Sequence, residues 1–230
     1  MNLAANICAL TQGQQPELML FDLDGTLIDS VPDLASAVDS MLTELGLPVA
    51  GRGKVSHWVG NGADMLVRRA LAEGNESKAS AFHDDEICAA RAVFDRAYLD
   101  CLHSATGAFE GVDEFLKGLD VIKVLITNKP RKFTEPLLKS LGWQNEFRFI
   151  LCGDDLSEKK PSPLPVLHAC AETGIIPQRA LMIGDSRHDI AAAKAAGVAT
   201  IAVTYGYNHG EDIRDSAPDL VIDSFSELLA

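Results

Sequence analysis

Hydrophobic positions change their period several times along the chain. Leu18 to Leu23 is a short apolar run that ends in polar residues, the pattern of a buried strand. From there to about Ser104 the apolar residues recur at helical spacing. Val31, Leu34, Ala35, Val38, Met41, Leu42 and Leu45 mark one helix, and Ala63, Leu66, Val67, Ala70 and Leu71 mark a second. Ile87, Ala90, Phe94, Ala97, Tyr98 and Cys101 mark a third. Ser30, Pro32 and Asp33 read as the start of the first helix. No strand is expected in this stretch.

Beyond Ser104 the pattern alternates. Helices are expected at Val112 to Leu119, Phe133 to Leu141, Leu164 to Thr173 and Ile190 to Ala196, the last stopped by Gly197. Between and after them lie strand candidates at Val121 to Thr127, Phe149 to Cys152, Ala180 to Gly184, Ala199 to Thr204 and Leu220 to Ile222. Strands alternating with helices imply a parallel sheet covered on both faces, whose strands read as continuous apolar runs. The expected fold is α/β: a Rossmann-like three-layer core with a mainly parallel sheet, built from residues 18–29 and 104–230. Residues 30–103 form an inserted α-helical cap, and residues 1–17 a loose N-terminal extension.

Composition narrows the function classes. The chain has 230 residues, enough for a substantial core, and a net charge of −13. Such a charge repels nucleic-acid backbones and anionic membranes, so neither is an expected partner. It also repels an anionic substrate, so a phosphate site here needs local positive charge. No apolar run is long enough to span a bilayer, and Met1 to Leu10 lack the positive region of a secretory signal. Five widely spaced cysteines with no CxxC pair argue against a disulfide framework or a zinc site and for a cytoplasmic location. Monomer and homodimer both stay open.

In open parallel sheets, ligands bind beyond the carboxyl ends of the strands. The first strand ends in Asp22-Leu23-Asp24-Gly25-Thr26, and the second in Ile126-Thr127-Asn128. Lys160 opens Lys160-Pro161-Ser162-Pro163 after the third strand. The fourth ends in Gly184-Asp185-Ser186-Arg187-His188-Asp189. Taken singly, each has an ordinary explanation: Asp24-Gly25 a turn, Thr127 and Asp189 helix caps, Lys160 a solvated side chain. Four strand ends that together deliver carboxylates, a hydroxyl and an ammonium are hard to explain that way. Gly60 and Gly62 form a GxG with no preceding strand and no third glycine, so they read as a cap turn near the site, not a dinucleotide loop. Tyr205 and Tyr207 read as packing or loop residues.

In their order, DLDGTLIDS, ITNKP, KKPSP and GDSRHD resemble the four motifs of the haloacid dehalogenase superfamily of phosphohydrolases. The resemblance covers nearly the whole chain after residue 17. HWVGNGADMLVRRAL (57–71) and TYGYNHG (204–210) are similar to bacterial phosphoglycolate phosphatases. The chain departs from that subfamily at Phe109-Glu110-Gly111 and at Ser162.

The resemblance implies a magnesium-dependent phosphatase acting on a small phosphate ester. Asp22 would be the nucleophile that forms an aspartyl-phosphate, and Asp24 the general acid and base. Magnesium would take Asp22 and Asp185 through their side chains and Asp24 through its backbone carbonyl, with Asp189 supporting from the first or second shell. Thr127 and Asn128 would bind the phosphoryl group, and Lys160 would neutralise it together with Asp22. 2-Phosphoglycolate is the leading substrate; pyrophosphate, sugar phosphates, nucleotides and a sugar phosphomutase reaction are the alternatives. A non-catalytic binding protein would be expected to lose one of these residues, and none is missing. A carboxylate on the leaving group calls for a cation or several N–H donors. The cap offers Arg52, Lys54, His57, Arg68 and Arg69, and backbone N–H groups around Asn61 between Gly60 and Gly62. Arg68 and Arg69 are adjacent on a helix, so at most one should face the site, and Arg68 is the expected one.

Overall fold

The computed structural model describes residues 3–229. In chain order, α1 (Ala5–Leu10) precedes β1 (Leu18–Phe21) and β2 (Ile28–Asp29). Helices α2 (Val31–Glu44), α3 (Gly51–Trp58), α4 (Ala63–Leu71), α5 (Glu76–Ala81) and α6 (Asp84–Cys101) follow. After β3 (Gly107–Ala108) come α7 (Val112–Gly118), β4 (Ile122–Ile126), α8 (Arg131–Ser140), β5 (Phe149–Leu151) and α9 (Leu164–Thr173). The rest is β6 (Ala180–Gly184), α10 (Arg187–Ala195), β7 (Ala199–Val203) and β8 (Leu220–Ile222). No helix among the described residues is long and apolar enough to cross a membrane.

Six strands form one parallel sheet in the order β5-β4-β1-β6-β7-β8. Alternate side chains of a strand point to opposite faces, and here both faces are buried. Met19 and Phe21 of β1 pack into one core with Phe115 of α7 and Leu137 of α8. Leu18 and Leu20 pack into another with Val166 of α9 and Ala193 of α10. This is the three-layer arrangement expected from the uninterrupted apolar runs. In register, Phe21 of β1 lies beside Leu125 of β4 and Ile183 of β6, so these three strands end side by side. The chain direction across the sheet reverses around β1, which makes their carboxyl ends the natural ligand crevice.

The helical stretch departs from expectation in detail. Its three expected helices are α2, α4 and α6, but α3 and α5 also form. A two-residue ladder, β2 with β3, pairs Ile28 with Ala108 and Asp29 with Gly107 where no strand was expected. Ser30 begins α2, yet its side chain makes no cap bond, and its buried Oγ has no partner among the described residues. Asp33 binds across the chain instead. Its carboxylate accepts from Ala105 N (2.9 Å), Thr106 N (2.9 Å) and Thr106 Oγ1 (2.7 Å). It thereby ties the outgoing strand of chain to the returning one.

The N-terminal segment is not loose. Leu3 and Ile7 are buried in the core, Ala4 N donates to Leu228 O, and Leu3 bridges Leu229 in antiparallel fashion. Its apolar residues find a groove beside the last turn of the chain, so burial fixes a segment whose local sequence is indifferent.

Candidate active site

Asp22 follows β1, and its N–H continues the ladder to Ile183 O (3.0 Å). Its Oδ1 lies 2.8 Å from Lys160 Nζ. Lys160 is buried, and its ammonium also donates to Asp189 Oδ1 (2.6 Å) and Ile126 O (2.6 Å). All three of its donors are therefore used. Burial alone would lower its pKa, but the charges of Asp189 and Asp22 outweigh that and raise it.

Asp185 follows β6 and is buried. Its Oδ1 accepts from Thr26 Oγ1 (2.9 Å) and its Oδ2 from Tyr207 N (2.5 Å). Asp189, fully buried in the first turn of α10, accepts from Ser186 N (3.0 Å) and Ser186 Oγ (2.6 Å) through Oδ2. It is a helix cap and a partner of Lys160 at once. Oxygens of Asp22, Asp185 and Asp189 all lie within 4.8 Å of one another. Burial first, and Asp189 second, push the Asp22 carboxyl up to about 7. Burial first, and Asp22 second, push Asp185 well above the carboxylate range. Crowded buried carboxylates of this kind are relieved by a cation, and an all-oxygen donor set suits a hard divalent one. Asp189 is fully buried on Lys160 and Ser186, whereas Asp22 keeps some exposure and is bonded through Oδ1 alone among the described residues.

Asp24 lines the same cavity as Asp22. Between Leu23 and Ile28 the chain turns sharply, with Gly25 N bonded to Ile28 O. Gly25 has φ +86°, and a Cβ there would stand 2.1 Å from Asp185 Oδ2. This glycine lets two strand ends approach each other. Thr127 follows β4, and its Oγ1 accepts from Lys129 N (3.1 Å). Asn128 is buried, and its amide donates to Gly60 O (3.2 Å) and Lys160 O (2.9 Å), joining the helical segment to the core.

A cavity of about 40 Å³ opens over Asp22 and Asp24, bounded by Thr127, Asn128, Gly60 and Gly62. Gly62 fits there because it has no side chain: a Cβ would lie 3.0 Å from Asn128 O. Asn61, between them, turns away from the cavity. Its amide donates to His188 Nε2 (2.9 Å) and its Oδ1 accepts from Arg69 (3.2 Å). Burial, and then His209, lower the His188 pKa to about 4, which leaves its ring neutral to accept that bond.

Arg68 does not face the cavity. It pairs with Asp84 and donates to Phe82 O, because the turn from α4 into α6 brings those acceptors over its side of the helix. Arg69 is buried on Glu76 and Trp58 O. Sequence reasoning missed Lys129, which lines the cavity, is buried, and lies 3.0 Å from Asp24 Oδ1 and 2.6 Å from Tyr98 Oη. It was visible as the residue after Thr-Asn in ITNKP, but a lysine alone reads as solvated. Tyr207 was also missed as a site residue: its N–H holds Asp185 and its hydroxyl donates to Asp29.

Residues 19–203 match the model of the haloacid dehalogenase-like hydrolase family. A phosphoglycolate phosphatase of Pseudomonas putida is 51% identical over 224 residues, covering 96% of this chain and 81% of that protein. One of Nitrosococcus oceani is 46% identical, covering 94% and 96%. A crystal structure of a predicted phosphoglycolate phosphatase from Haemophilus somnus superposes with a TM-score of 0.86 at 37% identity, covering 93% of this chain and 96% of that one. With three of the four motifs at the ends of neighbouring strands, Lys160 of the other motif on Asp22, and a family match across most of its length, the chain belongs to the haloacid dehalogenase-like hydrolases.

Proposed function

We propose that the protein is a magnesium-dependent phosphatase that hydrolyses 2-phosphoglycolate to glycolate and phosphate. The observation that carries this reading is Asp22: a carboxylate at the end of the central strand, held by Lys160, open to a small cavity, with a second carboxylate two residues on. The phosphoglycolate phosphatases that resemble the chain over nearly its full length support the choice of substrate.

Asp22 and Asp185 would hold the magnesium by their carboxylates and Asp24 by its backbone carbonyl, with Asp189 behind them. The ion supplies charge neutralisation for a dianionic phosphoryl group. Asp22 Oδ attacks phosphorus, and the bond from phosphorus to the glycolate oxygen breaks. Asp24 gives that oxygen its proton. Water then attacks the phosphorus of the aspartyl-phosphate while Asp24 takes a proton from it. The bond to Asp22 breaks and phosphate leaves. Lys160 stays with Asp22 throughout and offsets charge on the transferring group. Thr127 Oγ1 and the Asn128 backbone hold a phosphoryl oxygen.

Residues 30–103 act as a cap over a core of residues 18–29 and 104–230, with residues 1–17 packed against that core. The cap limits what can enter: about 40 Å³ is space for a few water molecules at ~10–15 Å³ each, which suits a leaving group of a few atoms. All five cysteines are free, in keeping with a reducing cytoplasm. The test is phosphate release from a panel of esters, including pyrophosphate, sugar phosphates and nucleotides, with and without a chelator. Strong preference for 2-phosphoglycolate, lost on chelation, is expected. Preference for another ester would discard the substrate and keep the chemistry.

A further inference from the structure

The cavity poses a problem of charge. A chain of net charge −13 must accept a phosphate that carries a second anionic group on its leaving side. The cap cations that could pair with it are engaged elsewhere. Arg52 is bonded to Asp29, Arg68 to Asp84 and Arg69 to Glu76; His57 Nδ1 lies on Gly53 O, and Lys54 is exposed. Lys160 has spent its donors on Asp22, Asp189 and Ile126. Among the described residues lining the cavity, Lys129 is the sole cation.

Lys129 is built in rather than adventitious. It is 6% exposed, and its ammonium stands 4.7 Å from the centroid of the Tyr98 ring. It donates to both carboxylate oxygens of Asp24, at 3.0 and 3.3 Å, and to Tyr98 Oη. Among the described residues the Tyr98 hydroxyl, which accepts from Lys129, has no acceptor for its own proton. Burial raises the Tyr98 phenol above its ordinary range and keeps that proton in place. The cavity thus contains an ammonium and an unused hydroxyl donor 2.6 Å apart, beside an apolar wall of Leu34, Leu66, Phe94 and Phe133. A carboxylate presents two acceptor oxygens at a comparable spacing.

We propose that Lys129 and Tyr98 bind the carboxylate of the leaving group and thereby select a small anionic ester over a neutral one of the same size. This rests on the reading of the cavity as a phosphatase site. Tyr98 lies on α6 and Lys129 follows β4, so the anion would also bridge cap and core. A neutral leaving group forgoes a charge-assisted bond to the ammonium, which weakens its binding.

The test compares kcat/KM for 2-phosphoglycolate and for its carboxamide in the wild type, Lys129→Met and Tyr98→Phe. The wild type should prefer the carboxylate. Lys129→Met should lower that preference on the order of a hundredfold, and Tyr98→Phe about tenfold, mainly through KM, as fits loss of hydrogen bonds to a charged group. Tyr98→Phe keeps the packed ring and carries the test alone if Lys129→Met does not fold. If each variant lowers both substrates by the same factor, Lys129 acts on Asp24 and not on the leaving group, and the proposal is overturned. A wild type that hydrolyses another ester but neither of these overturns the substrate reading and this proposal together. That result is told apart from failure of the proposal alone, in which the wild type does turn over 2-phosphoglycolate.

Discussion

Lys160 Nζ lies 2.8 Å from Asp22 Oδ1 and makes that carboxylate part of a buried charge network with Asp189. Neither carboxylate is neutralised by another side chain in the described structure. Lys160→Met should therefore reduce kcat by about 10²–10³-fold, through lost stabilisation of the transferring phosphoryl group. It should also destabilise the fold, because Asp189 is left buried without its cation. Lys160→Arg should not restore activity, since a forked guanidinium cannot take three acceptors arranged around one nitrogen. Steady-state phosphate release and a urea melt check both parts.

The raised pKa of Asp22 has a consequence for stability. Its folded value of about 7 exceeds the unfolded 3.8, so the folded state holds the proton more tightly. The stability this gives is full below the unfolded value and is lost as pH rises through the folded one. Asp22→Asn removes the titration. In chelator, the variant should become more heat-stable relative to wild type as pH rises from about 4 to about 7, and level off above that. Magnesium should shrink the difference. Paired melting curves across this range measure it; a difference independent of pH would contradict the account.

Gly25 and Gly13 form a matched pair. Both have positive φ, +86° and +78°, but an alanine Cβ at Gly25 would meet Asp185 Oδ2 whereas one at Gly13 meets nothing within 4 Å. Gly13→Ala should cost about 1–2 kcal/mol from backbone strain alone and leave activity intact. Gly25→Ala should cost more and weaken magnesium binding, read by calorimetry.

Asp33 reads as a helix-start residue in the sequence and serves as a clasp in the fold. Asp33→Ala should destabilise by about 3 kcal/mol, because the N–H groups of Ala105 and Thr106 lose a charged acceptor. Since these residues lie where the chain leaves and re-enters the core, KM should rise more than kcat falls.

The elements legible from sequence are those whose local pattern matches their burial. β1, β4, β6 and β7 are covered on both faces and read as apolar runs; α2 and α6 have one buried stripe each. The two-residue strands β2 and β3 are too short to show a period. α3, Gly-Arg-Gly-Lys-Val-Ser-His-Trp, carries two glycines that weaken any helical signal. α1 looked loose because its partners, near Leu228, lie at the other end of the chain. In the site, Asp22, Asp24, Thr127 and Asp185 stand next to strand ends, where position alone predicts convergence, and Lys160 reaches them from the loop between β5 and α9. Lys129 and Tyr98 meet across 31 residues of sequence, and no spacing rule foretells that. Arg68 was misplaced because the acceptors that hold it, Phe82 O and Asp84, are set by the path of the chain after α4.

The proposed role of Asp22 is to carry the phosphoryl group during turnover. Acid quench of the working enzyme with 2-phosphoglycolate and magnesium, followed by peptide mass spectrometry, tests it most directly. A phosphoryl adduct on Asp22 is expected, absent from Asp22→Asn, which also releases no phosphate. Sustained phosphate release by Asp22→Asn, or an adduct on a different residue, would contradict it.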